Sequence, residues 1–329
     1  MSGGEFDIIK RYFERQSTFS DESVVIGIGD DCAILDIEAG YQLAVTTDSL
    51  VSGVHFFEDV DAYRLGYKSL AVNLSDLAAM GATAKWVSLA ITLPTLDEKW
   101  LGDFCRGFFD LADKYQVKLI GGDTTKGPLS ITVSAKGVVK KGQALTRNNA
   151  QVGDLICVSG CVGDGGVGLA AKLDQVQLDN SQAFIDNLEV TEPCLSLASL
   201  LPEYASTCID ISDGLLQDLS HIVNKSSVHA EIQAEKLPLS KAMKNEVNLN
   251  YLTQLQALHF ALTGGDDYEL IFTISEANLT RLAPELARLG LDIFVIGSIV
   301  SDDASLNNVQ VTYQQQPIQL DDAGWDHFK

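Results

Sequence analysis

The run Gly121-Gly122-Asp123-Thr124-Thr125 is approached through the apolar residues Val117, Leu119 and Ile120 and followed by the strand-like stretch Leu129 to Val139. Two glycines free the backbone, then a carboxylate and two hydroxyls follow where backbone N–H groups can also point outward. Such a turn suits a metal ion and a phosphate. The construction recurs at Gly29-Asp30-Asp31, Thr46-Thr47-Asp48-Ser49, Asn73-Leu74-Ser75-Asp76, Asp210-Ile211-Ser212-Asp213-Gly214 and Gly264-Gly265-Asp266-Asp267. Six acidic clusters built of small residues ask for one explanation.

The bulk composition narrows it. A chain of 329 residues is long for a single core, so two domains are expected, and a hydrophobic content of 46% is ample to fill both. With 23 basic against 45 acidic side chains the net charge is -22. Such a surface repels nucleic acid and anionic membranes, and it repels ATP as well unless divalent cations neutralise the carboxylates. Phosphate chemistry on this chain therefore points to metal mediation. The six cysteines form no C-x-x-C pair and sit among apolar neighbours, which reads as buried thiols of a reducing compartment, and the histidines fall into no zinc spacing with them. No basic-then-apolar leader and no membrane-length apolar run is present, so a soluble cytoplasmic protein is the expectation.

Along the chain, Phe6, Ile9, Tyr12 and Phe13 predict a short helix over 5–16, and Val24 to Ile28 a strand that delivers Asp30. A second strand, Gln42 to Thr47, is expected to end on Asp48. A helix over 62–80 carries Leu65, Ser69, Val72, Asp76 and Ala79 on one stripe, where Asp76 interrupts an apolar face and needs a partner or a cation. Trp86 to Leu93 reads as a strand, and Thr95-Leu96-Asp97-Glu98 has the spacing of a capping box before an aromatic helix. The polar, locally basic stretch 140–153 marks the domain boundary, placed between 1–145 and 146–329. Arg147 within it is either a phosphate clamp or a solvated linker charge.

The second half opens on the strand Asp154 to Ser159 and the run Gly163-Asp164-Gly165-Gly166-Val167-Gly168, which matches the dinucleotide fingerprint G-x-G-x-x-G. The second strand ending in an acid, some 20 residues further on in that motif, is missing, so a tight strand-to-helix turn is the better reading. Thr191-Glu192-Pro193 reads as the start of another helix. Asp210 to Gly214 precede an amphipathic helix. Ser212 and Asp213 are N-cap candidates there, or the turn anchors a metal and offers N–H groups to a nucleotide phosphate. Gly264 to Leu270 turn into a strand over 270–274. In the tail, Trp325 is a docking anchor or a stacking surface.

Carboxylates with hydroxyls or backbone oxygens favour Mg²⁺ over zinc or iron. No Walker loop and no protein-kinase signature is present. A nucleotide-dependent enzyme whose phosphates are held by metal ions remains. Other readings weighed are an ATP-dependent purine-pathway synthetase, a catalytically inactive metal-binding regulator, and a hydride-transferring enzyme resting on Gly163 to Gly168 alone.

The segments Gly27 to Ala33, Thr47 to Val51, Tyr67 to Gly81, Gly121 to Thr125, Ile211 to Leu215 and Gly264 to Leu270, with Gly324-Trp325-Asp326-His327-Phe328, resemble the signature blocks of the bacterial thiamine-monophosphate kinases, in order and over nearly the whole chain. The resemblance implies an α+β architecture of mixed sheets in the two-domain fold of aminoimidazole ribonucleotide synthetase. The N-terminal sheet would form a homodimer interface and hold metal and ATP, and the C-terminal α/β domain would complete the nucleotide and substrate sites. It implies ATP-dependent phosphorylation of thiamine monophosphate to thiamine diphosphate by direct in-line transfer, with several Mg²⁺ ions and no general base. Carried over by motif, Asp30, Thr46, Thr47, Asp48, Asp76, Asp123, Asp210 and Asp213 would hold metal. Gly122, Asp123, Arg147 and Ser212 would contact ATP, and His55, Asp266 and Trp325 the thiamine phosphate. Asp266 stands where many family members carry Glu; its carboxylate is one methylene shorter, and a bridging water could restore the reach.

Overall fold

The computed structural model describes residues 8–14, 19, 21–28, 32–301 and 308–318. The chain divides into two compact units, Met1–Leu77 with Ala82–Gly142, and Ala78–Gly81 with Gln143–Lys329. Asp30 and Trp325 lie outside the described residues, as do both ends of the helix expected over 5–16; the described part, 8–14, carries one π-type turn at Ile9–Phe13.

In the first unit β1 (Val24–Ile26) pairs with β2 (Ile34–Leu35). There follow β3 (Tyr41–Val51), α1 (Ala62–Ala79), β4 (Thr83–Leu93), α2 (Glu98–Lys114), β5 (Lys118–Lys126) and β6 (Ser130–Lys140). Four strands lie in the order β3-β6-β4-β5; β4 and β5, joined across α2, run parallel, and the other pairs are antiparallel. The period-2 pattern of β6 explains the layering. Ile131, Val133 and Ala135 are buried on one face together with Val87, Leu89 and Ile91 of β4, while Thr132, Ser134 and Lys136 occupy the other. The aromatic residues of α2 do as the sequence suggests: Trp100, Phe104 and Phe108 stack in series with ring centroids 5.5 and 6.3 Å apart.

Three local expectations change. The second strand does not stop at Asp48 but runs to Val51, so Asp48 lies inside β3 and not on a turn. Gly121 and Gly122 do not break the chain either, because β5 continues through both. Gly122 is needed because any Cβ there would collide with the Leu89 carbonyl of β4, a close-approach role and not a turn. The cap of α2 is Asp97, whose carboxylate accepts the N–H groups of Lys99 at 2.9 Å and Trp100 at 3.0 Å, in place of a box starting at Thr95.

The second unit contains β7 (Leu155–Val158), α3 (Asp164–Lys172), α4 (Ser181–Glu189), the short α5 (Leu195–Ala198), β8 (Ala205–Asp210), α6 (Leu215–Ser226) and β9 (His229–Gln233). It continues with α7 (Lys241–Asn248), α8 (Gln254–Thr263), β10 (Leu270–Ile274), α9 (Glu276–Leu289), β11 (Phe294–Val300), β12 (Val309–Tyr313) and β13 (Gln316–Pro317). The helix expected from Thr191 starts at Leu195 instead. A mixed sheet of order β13-β12-β9-β11-β7-β10-β8 carries these helices, with β12 and β9 the parallel pair. Leu215, Leu219, Ile222 and Val223 of α6 pack into the same core as Ile156, Val158, Ile209 and Ile271 of the sheet. The buried Glu246 of α7 accepts the N–H groups of Asp179 at 2.9 Å and Asn180 at 3.1 Å ahead of α4. All six cysteines are free. Cys105, Cys157 and Cys208 are buried as expected, whereas Cys32 is exposed. Among the described residues no helix is long and apolar enough to cross a membrane.

Candidate functional site

Two acidic arrangements stand out, one in each unit. In the first, Asp48 of β3 and Asp76 of α1 are both half-buried. The order of the sheet makes β3 an edge strand, so its outward amides need partners off the sheet. The Asp48 N–H finds one in Asn73 of α1, whose Oδ1 accepts it at 3.1 Å. Asn73 is itself fully buried and donates from Nδ2 to the Ser69 carbonyl at 3.2 Å, which fixes its orientation. One turn further on, Asp76 accepts the Thr46 hydroxyl. Burial, and then repulsion from Asp76, push the Asp48 carboxyl up to about 6. Two carboxylates and a hydroxyl held this way form a site that a cation would relieve.

Alternation along β3 separates the remaining residues. Thr46 and Asp48 lie opposite the buried Ala135 and Val133, whereas Thr47 lies opposite Ser134 on the other face and donates its hydroxyl to the Thr46 carbonyl at 2.8 Å. Asp123 is exposed on β5, at the opposite edge of the sheet. Its register runs through Ala90 and Thr132 to Ser49, which puts it on the face away from Asp48. The fold of one chain thus joins Thr46, Asp48 and Asp76 but leaves Thr47, Gly122 and Asp123 apart from them. His55 follows β3 and accepts the Val51 N–H at its Nδ1, 3.1 Å away, so the neutral ring carries its proton on Nε2. Among the described residues no three His, Cys, Asp or Glu side chains gather into a metal-holding group. Paired carboxylates are nevertheless what Mg²⁺ uses when substrate phosphates supply further oxygens.

In the second unit, Asp210 ends β8 and is buried, while Ser212 and Asp213 are half-buried on the turn into α6. Neither Ser212 nor Asp213 caps the helix. Gly214 stands at the cap position with φ 131° and offers no side chain. The work is done by Asp218, from within the first turns of α6. Its Oδ2 accepts the N–H groups of Ser212 at 3.1 Å, Asp213 at 3.1 Å and Gly214 at 3.2 Å. These amides are therefore already satisfied and are not open to a nucleotide phosphate, contrary to one sequence expectation. Burial first, and the charges of Asp210 and Asp213 next, raise the Asp218 carboxyl to about 8 against the pull of its N–H bonds. Asp218 was missed in the sequence because an acid four residues into an amphipathic helix resembles a solvated one; its spacing from Gly214 was the available signal.

The Gly264 to Leu270 segment runs beside that turn. The Asp266 N–H donates to the Ser212 carbonyl at 2.9 Å, the Tyr268 N–H to Ile211 at 2.8 Å, and the Ile211 N–H to Glu269 at 2.8 Å. Asp266 and Tyr268 both adopt left-handed backbone conformations, with φ 63° and 52°. Asp tolerates this region, but for a residue as bulky as Tyr it costs about 1–3 kcal/mol that the surroundings must offset. Asp267 reaches the other way, accepting the N–H groups of Gly163 at 2.6 Å and Gly165 at 3.0 Å. The donors that a dinucleotide pyrophosphate would need are thereby taken, and the hydride-transfer reading loses its only support. Glu269 is enclosed, accepting from the Ser159 hydroxyl and, at 3.2 Å, from the Cys194 thiol. Arg147 is exposed, and its carbonyl accepts the Ser226 hydroxyl at 2.9 Å.

Residues 29–139 match the AIR synthase related protein, N-terminal domain, and residues 151–306 the corresponding C-terminal domain. The thiamine-monophosphate kinase of Escherichia coli (strain K12) is 44% identical over 331 residues, covering 100% of this chain and 99% of the relative. The crystal structure of thiamine-monophosphate kinase from Stenotrophomonas maltophilia K279a is 41% identical, covers 90% of this chain and 93% of that one, and has a TM-score of 0.81. A solved structure of AaThiL complexed with AMPPCP and TMP is 28% identical over 89% of each chain, with a TM-score of 0.76. On two domain matches and full-length identity, the chain belongs to the thiamine-monophosphate kinase family, with the mixed-sheet fold of the AIR synthase related proteins.

Proposed function

We propose that this protein transfers the γ-phosphoryl group of ATP to thiamine monophosphate, giving thiamine diphosphate and ADP. An oxygen of the thiamine phosphate forms the new bond to Pγ as the bond from Pγ to the bridging oxygen of ADP breaks. The acceptor phosphate is anionic near neutral pH, so no side chain has to remove a proton from it. The protein's part is placement and charge control. Mg²⁺, when bound, would neutralise the negative charge of the phosphates.

The observation that carries this reading is the Asp48–Asp76 pair. Its carboxylates repel in a half-buried site, with Asp48 raised to about 6, and its geometry is fixed by Thr46 and Asn73. Asp48 and Asp76 would hold Mg²⁺ there, with Thr46 beside them. Asp210 and Asp213 would hold it in the second unit, on a turn that Asp218 keeps in shape. From the family pattern, Thr47 and Asp30 belong to the metal set and Gly122, Asp123, Arg147 and Ser212 to ATP. His55, Asp266 and Trp325 go to the thiamine phosphate. A homodimer through the first unit's sheet is part of the proposal. Leu43, Val45 and Val51 expose apolar surface on the edge strand β3, which a second copy would cover.

The test measures ADP release and thiamine diphosphate with ATP and Mg²⁺, comparing thiamine monophosphate with unphosphorylated thiamine, for the native protein and for Asp48→Asn. Product from the monophosphate, lost in the variant, is expected. Turnover stimulated by neither thiamine compound would sink the substrate assignment.

A further inference from the structure

We propose that the Gly163–Gly168 turn is a clamp on the Gly264–Tyr268 segment, with Asp267 as the positioning residue that sets the backbone of Asp266 and through it the binding of thiamine monophosphate. The inference rests on the kinase reading above.

Three independent features of the second unit support it. The Asp267 carboxylate is bonded on both sides of Asp164, to the Gly163 N–H at 2.6 Å and the Gly165 N–H at 3.0 Å, so it grips the turn and cannot slide along it. The two backbones also touch with no side chain between them. A Cβ added at Gly165 would stand 2.6 Å from the Gly265 oxygen and 2.7 Å from the Asp266 carbonyl carbon, and one at Gly166 would stand 2.9 Å from the Gly264 Cα. Opposite Gly165 only backbone lies, so an added atom there must push the segment away. Finally, the segment is held on its other side by the Asp266 and Tyr268 amides bonding to Ser212 and Ile211 at 2.9 and 2.8 Å. Caught between the two, Asp266 and Tyr268 stay left-handed at φ 63° and 52°. A backbone held so tightly directs the Asp266 carboxylate with little freedom. That matters more with Asp at 266 than it would with the longer Glu, because the shorter side chain cannot correct a misplaced backbone by changing rotamer.

Asp267→Asn is the informative substitution, since the amide keeps one acceptor oxygen but turns donors toward one of the two glycine amides. The expected result is a KM for thiamine monophosphate raised about tenfold or more, with the KM for ATP within about twofold of native. Backbone amides of 264–268 should exchange faster with solvent deuterium, and the remaining strands of the sheet should exchange as before. Should Asp267→Asn not fold, Gly166→Ala, which asks for a smaller adjustment, carries the same measurements. Equal changes in both KM values, or native exchange over 264–268 with an unaltered KM for thiamine monophosphate, would overturn the clamp. A native protein that does not turn over thiamine monophosphate defeats the kinase reading instead, and the exchange measurement still decides whether the clamp exists.

Discussion

Asp48 and Asp218 are both acids with raised pKa values, at about 6 and about 8, yet their surroundings differ in kind. Asp48 faces Asp76 across a strand–helix contact, where the neighbouring charge adds to its burial. Asp218 faces inward to three backbone N–H groups, which it satisfies with a single oxygen. The lesson is that acidic residues in this chain do two jobs. Those that accept backbone amides, including Asp267 and Glu246, hold loops in place. Those whose carboxylates accept no backbone amide and lie beside another acid, such as Asp48 beside Asp76, are the ones with charge to offer a ligand.

The sharpest way to break this comparison is the same substitution at both positions. Asp48→Asn should lower kcat/KM by about 10²–10³, the scale of removing one preorganised electrostatic contact, while leaving the metal-free protein at least as stable as native at neutral pH. Asp218→Ala should destabilise by about 2 kcal/mol, because buried amides lose their acceptor, whereas Asp218→Asn should cost under about 1 kcal/mol since one oxygen suffices. Denaturant unfolding beside steady-state kinetics reads both. Matching behaviour of the two Asn variants would erase the distinction.

A smaller effect is expected in the pH dependence of stability. The folded-state pKa of Asp48, about 6, lies above the ordinary aspartate value of about 3.9, so the folded state binds the proton more tightly. Protonation therefore favours folding, and the contribution present below about pH 4 is lost as pH rises through about 6. The stability difference between the native protein and Asp48→Asn should fall across that window in the absence of Mg²⁺ and flatten when Mg²⁺ is added. A difference independent of pH would show that neither burial nor Asp76 raises Asp48 in solution.

The smallest expected effect separates two neighbouring hydroxyls. Thr46 bonds to Asp76 on the acid-bearing face, while Thr47 sits opposite Ser134 on the other. Thr46→Ala should raise the Mg²⁺ concentration needed for half-maximal turnover more than Thr47→Ala does. The reverse order would mean that the metal is reached from the face that carries Asp123.

Much of the molecule was legible in advance. The strand Leu270–Ile274 and the helices Ala62–Ala79 and Leu215–Ser226 stand close to where periodicity puts them, since long apolar stripes leave few alternatives. Less legible were the places where a glycine or an acid serves a neighbour remote in sequence. Gly122 looks like a turn residue until the Leu89 carbonyl is seen against it, and the Gly163 to Gly168 run looks like a phosphate loop until Asp267 is seen to occupy its amides.

The sequence by itself determined the family, the alternation of β6, the amphipathic faces of the helices, and the small-residue acidic motifs, because each is written in local spacing and residue type. Tertiary structure alone decided which acids meet. That Asp48 lies against Asp76 while Asp123 is turned to the opposite face depends on strand register and sheet order. That Asp218 and Asp267 serve the backbone depends on segments brought together from far apart in the chain. The charge of a carboxylate is local, but its role is set by what burial and long-range contacts place within hydrogen-bonding distance of it.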